Sequence, residues 1–267
     1  MQMDNGPRGI SRFTVVMTAT VFLGALVSGC GDDADGVRTS ASTRGEDGRQ
    51  KQRVLWVGDS IAGVEGPALK AALTKSGVEF KDMSSDGGGT VVQGDEMSSR
   101  LAEPTWKALD RNLSSFRPQV VAYQITTYDW GTAGQQRASY EKLAGAARDA
   151  HAQLVIVSAP PFKLDDFYRQ HARAIESAPK VAAQVARDSD GRVRFFDAAQ
   201  LWGTDSKAAK AQRSSDGIHS CQQGSAAFAA WFTGKLSKSG DFTAADPGEW
   251  ANGAWTEDEH FDKLGCA

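Results

Sequence analysis

From residue 53 onward, short apolar runs alternate with longer segments of helical periodicity, and this alternation constrains the fold more than any other feature of the sequence. Apolar runs bounded by Gly, Pro or Asp predict buried strands, and segments with a period of about 3.6 residues predict helices. The predicted strands are 53–57, 78–83, 120–125, 154–157 and 193–196. The predicted helices are 68–75, 104–116, 136–151, 165–187 and 224–238, the fourth with an interruption near Pro179.

Strands that alternate with helices predict parallel βαβ units. The expected fold class is α/β, a three-layer α/β/α sandwich with a five-stranded parallel sheet of flavodoxin-like type. One domain is expected over 53–267, including a tail without periodicity after Ser239. Ligands of such sheets bind beyond the carboxyl ends of the strands, so the chemistry is expected there.

Residues 1–29 have the features of a signal peptide. Arg8 and Arg12 precede an uncharged run over 13–27, and small residues stand before Cys30, an order that resembles the bacterial lipobox. Residues 30–52 are polar and predict a flexible tether. We therefore expect an exported protein, lipid-anchored through Cys30 to the outer face of the cell membrane. An ordinary secretory signal or an N-terminal anchor helix, with an incidental cysteine, stays open as an alternative.

The charge and the cysteine content of the sequence argue against one class of binding partner and favour one covalent link. There are 30 Lys and Arg against 33 Asp and Glu, so no basic field is available to bind nucleic acid. With Cys30 assigned to lipid, Cys221 and Cys266 remain, and an even remainder in an exported chain favours a disulfide over two free buried thiols.

Two further sequence patterns predict neither a cofactor site nor a metal site. The glycine run 87–89 is not followed by a Lys-Ser/Thr pair and does not belong to a G-x-G-x-x-G pattern, so nucleotide binding is not expected. The acidic segment around His260 has no second histidine at ligand spacing, which favours a solvated tail over a metal site.

Three polar groups are expected at the carboxyl edge of the sheet. Ser60 follows the first strand, 126–129 follow the third, and Asp216 and His219 precede the last helix. Serine, histidine and aspartate suffice for acyl transfer, because histidine takes the serine proton and the carboxylate fixes the imidazole tautomer. Gly217 lets the backbone bend so that Asp216 and His219 can meet.

These motifs resemble those of the SGNH or GDSL-like hydrolases. Gly58-Asp59-Ser60 after a strand resembles the first block of that family, and Asp-x-x-His, carried by Asp216 and His219, resembles its last. The resemblance extends from residue 53 to about residue 236. It implies that Ser60 is the nucleophile, His219 the general base, Asp216 the group that orients the imidazole, and Asp59 a structural hydrogen-bonding group.

The resemblance also implies an oxyanion hole made by the Ser60 amide, a glycine after the second strand and an asparagine after the third. Gly87 or Gly88 supplies the glycine. Where the family has Gly-x-Asn-Asp, this chain reads Thr126-Thr127-Tyr128-Asp129, so Tyr128 stands at the asparagine position. A hydroxyl of Thr126 or Tyr128 is expected to donate instead.

Asp129 and Trp130 are expected to line the substrate site, since they also follow the third strand. An aromatic ring placed there could stack on a sugar.

The expected function is an extracytoplasmic serine esterase that cleaves carboxylic, O-acyl esters through an acyl-enzyme. Its substrate would be an acylated small molecule or envelope glycan, with no cofactor, and the chain is expected to be a monomer. Two alternatives stay open: an O-acyltransferase of SGNH type acting on envelope glycans, and a non-catalytic glycan-binding lipoprotein on the same scaffold, which the missing asparagine favours.

Overall fold

The structure, a computed structural model, describes residues 51–266. The predicted signal peptide, Cys30 and the tether up to residue 50 lie outside the described residues. At the end of the predicted tether, the Gln52 carbonyl accepts a hydrogen bond from the Glu79 amide at 2.8 Å, so Gln52 already belongs to the folded part.

The predicted alternation of strands and helices is present in the described chain. The strands are β1 (Arg53–Val57), β2 (Glu79–Asp82), β3 (Val120–Gln124), β4 (Gln153–Val157) and β5 (Val193–Phe196). The helices are α1 (Ser60–Lys75), α2 (Glu96–Phe116), α3 (Ala133–Asp149), α4 (Asp166–Arg169), α5 (Ala172–Arg187), α6 (Ala199–Trp202), α7 (Gln222–Ser237) and α8 (Glu259–Lys263). Within residues 51–266, no helix is both long and apolar enough to cross a membrane.

The five strands form one parallel sheet in the order β2-β1-β3-β4-β5, which confirms the predicted fold class. Alternate residues of a strand face opposite sides of a sheet. Accordingly Trp56 of β1 packs with α1 and α7, where Phe228 and Phe232 surround it. Leu55 and Val57 lie in the core on the other face, against α2, α3 and α5.

The first helix begins earlier than its sequence predicts. The prediction starts at residue 68, whereas α1 begins at Ser60 because the Asp59 carboxylate caps it by accepting from the Ile61 amide at 3.1 Å. Gly66 weakens the helical signal, and packing explains that glycine: a Cβ atom there would come within 2.0 Å of Asp82 Oδ2.

Three prolines of the described residues lie inside helices rather than at their ends, namely Pro67, Pro104 and Pro179. The helix predicted from residue 104 begins at Glu96, with Pro104 in its third turn. The predicted interruption near Pro179 is wrong, because Pro179 lies inside α5. The break instead separates α4 from α5, where the side chain of His171 stacks on Trp130.

The tail after residue 239 is ordered although it lacks periodicity. It forms short 3-10 turns at Pro247–Glu249 and Ala254–Glu257, followed by α8. Trp250 and Phe261 bury their side chains and hold the tail on the domain. The predicted disulfide between Cys221 and Cys266 is present and joins the tail to the start of α7.

Candidate active site

Ser60 lies at the point where the strand order of the sheet reverses, between β1 and β3. It is the first residue of α1, directly after β1, and β1 is flanked by β2 on one side and β3 on the other. Connections from β1 and β3 leave toward opposite faces at such a point, which opens the crevice where α/β proteins bind ligands.

Asp59 joins the two strands that border this crevice. It is fully buried, and its Oδ2 accepts hydrogen bonds from the amide and hydroxyl of Thr127, at 2.7 and 2.8 Å. Burial raises the pKa of Asp59, although bonds from Thr127 and Ile61 oppose that effect. Asp59 therefore connects the chain before Ser60 to the segment that follows β3.

Ser60, His219 and Asp216 form a continuous hydrogen-bonded chain. His219 Nε2 lies 2.8 Å from Ser60 Oγ, and His219 Nδ1 lies 2.6 Å from Asp216 Oδ2. Ser60 and His219 are 159 residues apart in the sequence, and the fold brings them together. The His219 side chain is 18% exposed, so solvent and substrate can reach it. This is the geometry of a nucleophile, a base and a group that orients the base.

Asp216 is held as a carboxylate. Its Oδ1 accepts from the Ser214 hydroxyl at 2.7 Å, the Ile218 amide at 2.7 Å and the His219 amide at 3.0 Å. Partial burial acts to raise the pKa of Asp216, but the hydrogen bond from the His219 side chain, together with those from Ile218 and Ser214, lowers it to about 2. An ionised partner at Nδ1 requires Nδ1–H on a neutral His219, which leaves Nε2 free to accept the Ser60 proton.

The glycine turn after β2 lies against Gly58, two residues before Ser60. The Gly88 amide donates to the Ser85 carbonyl at 3.2 Å, whereas the amides of Gly87 and Gly89 have no hydrogen-bond partner within residues 51–266. A Cβ atom on Gly89 would lie 3.3 Å from the Gly58 carbonyl oxygen, so Gly89 lies against the chain that leads into Ser60. The sequence predicted Gly87 or Gly88 and did not single out Gly89, since nothing in a run of three glycines separates them.

Of the two hydroxyls predicted to replace the asparagine, that of Thr126 donates to Asp129 Oδ1 at 2.7 Å. The prediction for Thr126 is therefore wrong, because its proton is already used. The Tyr128 ring is half-buried and adjoins the glycine turn: a Cβ atom on Gly88 would lie 3.0 Å from Tyr128 Cε2. Burial and the neighbouring Tyr168 raise the pKa of Tyr128, so its hydroxyl keeps its proton.

Asp129 does not line the substrate site. It is 1% exposed, and its Oδ1 accepts from the hydroxyls of Thr90, Tyr123 and Thr126 at 2.6 to 2.7 Å. Its Oδ2 accepts from Tyr140 at 2.6 Å. Burial raises the pKa of Asp129, while these four hydroxyls favour its charged form. The residue anchors a buried polar network behind the site.

Trp130 is also unavailable to a substrate. Its side chain is 2% exposed and stacks on His171, with ring centroids 3.5 Å apart and an angle of 3° between the rings. A sugar cannot stack on this ring, because His171 covers one face and the side chain is almost entirely buried.

The Asp129 network makes a prediction about stability. Asp129→Ala removes the shared acceptor of four buried hydroxyls, and we expect the free energy of unfolding to fall by about 3 kcal/mol or more. Urea denaturation would measure the loss. Asp110→Ala on the exposed side of α2 is the control, and equal stability of the two variants would contradict a structural role for the carboxylate.

Protein-family models find no match to this sequence, and curated protein sequences give none either. Solved structures do match. The inhibitor-bound aryl esterase of M. smegmatis aligns with 70% of this chain and 99% of its own, at 15% identity and a TM-score of 0.54. A GDSL-like lipase of Bacteroides thetaiotaomicron aligns with 70% of this chain and 88% of its own, also at 15% identity and a TM-score of 0.54. The domain thus has the fold of the SGNH or GDSL-type hydrolases, as the motif resemblance implied.

Proposed function

We propose that this protein is a serine esterase that cleaves carboxylic esters through an acyl-enzyme. One observation carries the proposal: the hydrogen-bonded chain from Ser60 Oγ through His219 to Asp216, at 2.8 and 2.6 Å, at the edge of the sheet where this fold binds ligands. The likeness in fold to an aryl esterase and a GDSL-like lipase supports the same chemistry.

The reaction follows from the geometry. Ser60 Oγ attacks the ester carbonyl carbon while its proton passes to His219 Nε2, and the carbonyl oxygen becomes an oxyanion. Collapse of the tetrahedral intermediate breaks the bond to the alcohol oxygen, which takes the proton from Nε2. Water then attacks the carbonyl carbon of the acyl-enzyme, with His219 again as the base. Collapse of this second tetrahedral intermediate releases the carboxylic acid, and Ser60 Oγ takes back the proton from Nε2. Asp216 stabilises the imidazolium formed in both steps.

Backbone amides are proposed to bind the oxyanion. As the first residue of α1, Ser60 has an amide without an intrahelical partner, and the positive end of the helix dipole lies there. An unpaired amide of the glycine turn, from Gly87 or Gly89, is the second donor. The Tyr128 side chain also lies next to this turn, and its hydroxyl, which stays protonated, is the side-chain donor proposed in place of the asparagine.

The location and substrate are proposed from the sequence. A signal peptide over 1–29 and a lipid on Cys30 would place the domain outside the cytoplasm, tethered to the membrane. O-acyl esters of envelope glycans, or smaller acylated molecules, are the substrates we propose for such a location.

Covalent labelling tests the proposal. A fluorophosphonate probe should label the wild-type protein at Ser60, located by mass spectrometry of the peptide, because phosphonylation needs an activated serine. Ser60→Ala should abolish labelling and His219→Ala should slow it strongly. An unlabelled wild-type protein would support the non-catalytic glycan-binding alternative, whereas a label on another serine would contradict the assignment of Ser60 as the nucleophile.

A further inference from the structure

The C-terminal tail brings a second histidine to the glycine turn. His260 lies in α8, and its Nε2 is 3.1 Å from Oδ1 of Asp86, the residue before Gly87. Its Nδ1 is 2.5 Å from Asp258 Oδ1, and Asp258 also caps α8. The imidazole is thus held on both sides, and one of its partners belongs to the turn proposed to bind the oxyanion.

This contact lies on the first turn of α1. A Cβ atom on Gly63, three residues after Ser60, would lie 3.2 Å from Asp86 Oδ1 and 3.8 Å from His260 Nε2. The glycine therefore lets Asp86 and His260 approach the helix closely. The Ser85 amide donates to the Gly58 carbonyl at 3.1 Å, which fixes the turn on its other side.

The tail that carries His260 is itself firmly attached. Phe261 is fully buried, and Cys266 is bonded to Cys221, two residues after His219. Gln222 Nε2 also donates to the Thr256 carbonyl at 3.2 Å. The tail therefore joins the segment that carries the proposed base to the turn that carries the proposed oxyanion donors.

We propose that His260 is a positioning residue: through Asp86 it holds the turn 84–89 against the first turn of α1, and so fixes the oxyanion amides relative to Ser60. The catalytic part of this inference rests on the proposed esterase function. The positioning of the turn is a property of the fold and can be measured without activity.

The two bonds of His260 together require a charged ring. Carboxylates only accept, so both ring nitrogens must carry protons for the bonds to Asp86 and Asp258 to form together. Asp82, at the end of β2, also interacts electrostatically with His260 and Asp86. Partial burial acts to lower the pKa of His260, but Asp258 and Asp86 raise it above its ordinary value. We call the pair of bonds from His260 to Asp86 and Asp258 the clamp. The clamp is therefore complete below the ordinary histidine pKa of about 6.5 and weakens as the pH rises through the raised pKa of His260.

Hydrogen exchange and kinetics of the full chain test the inference together. His260→Ala and Asp86→Ala should speed amide exchange in a peptide covering 84–89 and lower kcat for p-nitrophenyl acetate by roughly tenfold, with KM little changed. Asp86→Asn keeps the acceptor oxygen and should retain most of the wild-type behaviour. Lys263→Ala, which removes an exposed ion pair with Glu259 on the same helix, is the matched control. The effect of His260→Ala on exchange should be larger near about pH 6 than near about pH 9.

The outcomes separate the two proposals. Unchanged exchange in 84–89 in the His260 and Asp86 alanine variants overturns the clamp, whatever the activity. Faster exchange with unchanged kcat overturns its part in catalysis. If the wild-type protein neither hydrolyses esters nor reacts with the probe, the esterase function fails, and faster exchange in the variants would still establish the clamp.

Discussion

Ser60→Ala is expected to lower kcat for short-chain p-nitrophenyl esters by about 10⁴- to 10⁶-fold, because it removes the atom that forms the acyl-enzyme. The fold should not change. The cap of α1 is the Asp59 carboxylate, and the Ser60 hydroxyl contributes only its bond to His219. The free energy of unfolding should therefore stay within about 0.5 kcal/mol of the wild-type value.

Two further variants make this result specific. Ser60→Ala combined with His219→Ala should be about as inactive as either single variant, since the two residues act as one unit. Ser115→Ala, at an exposed position on α2, should keep full activity. Turnover by Ser60→Ala close to the wild-type rate would remove the nucleophile assignment and with it the proposed mechanism.

The sheet could be predicted because a buried strand is recognisable from its own residues. Each central strand is buried on both faces, so β1, β3 and β4 are nearly continuous apolar runs, and their short length and β-branched residues favour strands over helices. Helix ends were less predictable. The start of α1 depends on a cap by Asp59, and its glycines reflect contacts with Asp82 and Asp86, which are distant in sequence.

The meeting of Ser60 with His219 was expected for a topological reason. Residues that follow parallel strands lie at the same edge of the sheet, so two short motifs far apart in the chain could be placed together. The same rule placed Asp129 and Trp130 at this edge, but it does not say which side chains face the crevice. Asp129 turns into a network of hydroxyls and Trp130 packs beneath His171.

The contacts of the C-terminal tail could not be predicted from the sequence. An acidic segment around His260 favours a solvated tail, and nothing local indicates that the imidazole contacts Asp86, 174 residues away. The disulfide was predictable from the cysteine count. The part of the domain to which it attaches the tail depends on where α7 begins. Contacts of this range leave no periodic signal.

Asp216→Asn is the substitution that tests the role of the carboxylate with the least change in shape. Oδ1 of Asp216 receives three donors, from Ser214, Ile218 and the His219 amide. An asparagine must place its carbonyl oxygen there, which turns its NH₂ group toward His219 Nδ1. That nitrogen would then have to accept a hydrogen bond, so the ring proton would move to Nε2, the atom that must take the Ser60 proton.

The wrong tautomer should lower kcat by about 10⁴-fold with little change in KM, because the site keeps its shape but loses its base. Steady-state kinetics of Asp216→Asn beside Asp205→Asn, a change on an exposed loop, would measure this effect. Since the pKa of Asp216 is about 2, the carboxylate stays charged throughout the pH range of an esterase assay, so no acidic limb of the wild-type pH profile should report its titration. A variant that keeps more than about a tenth of the wild-type kcat would show that His219 does not need Asp216 to act as the base.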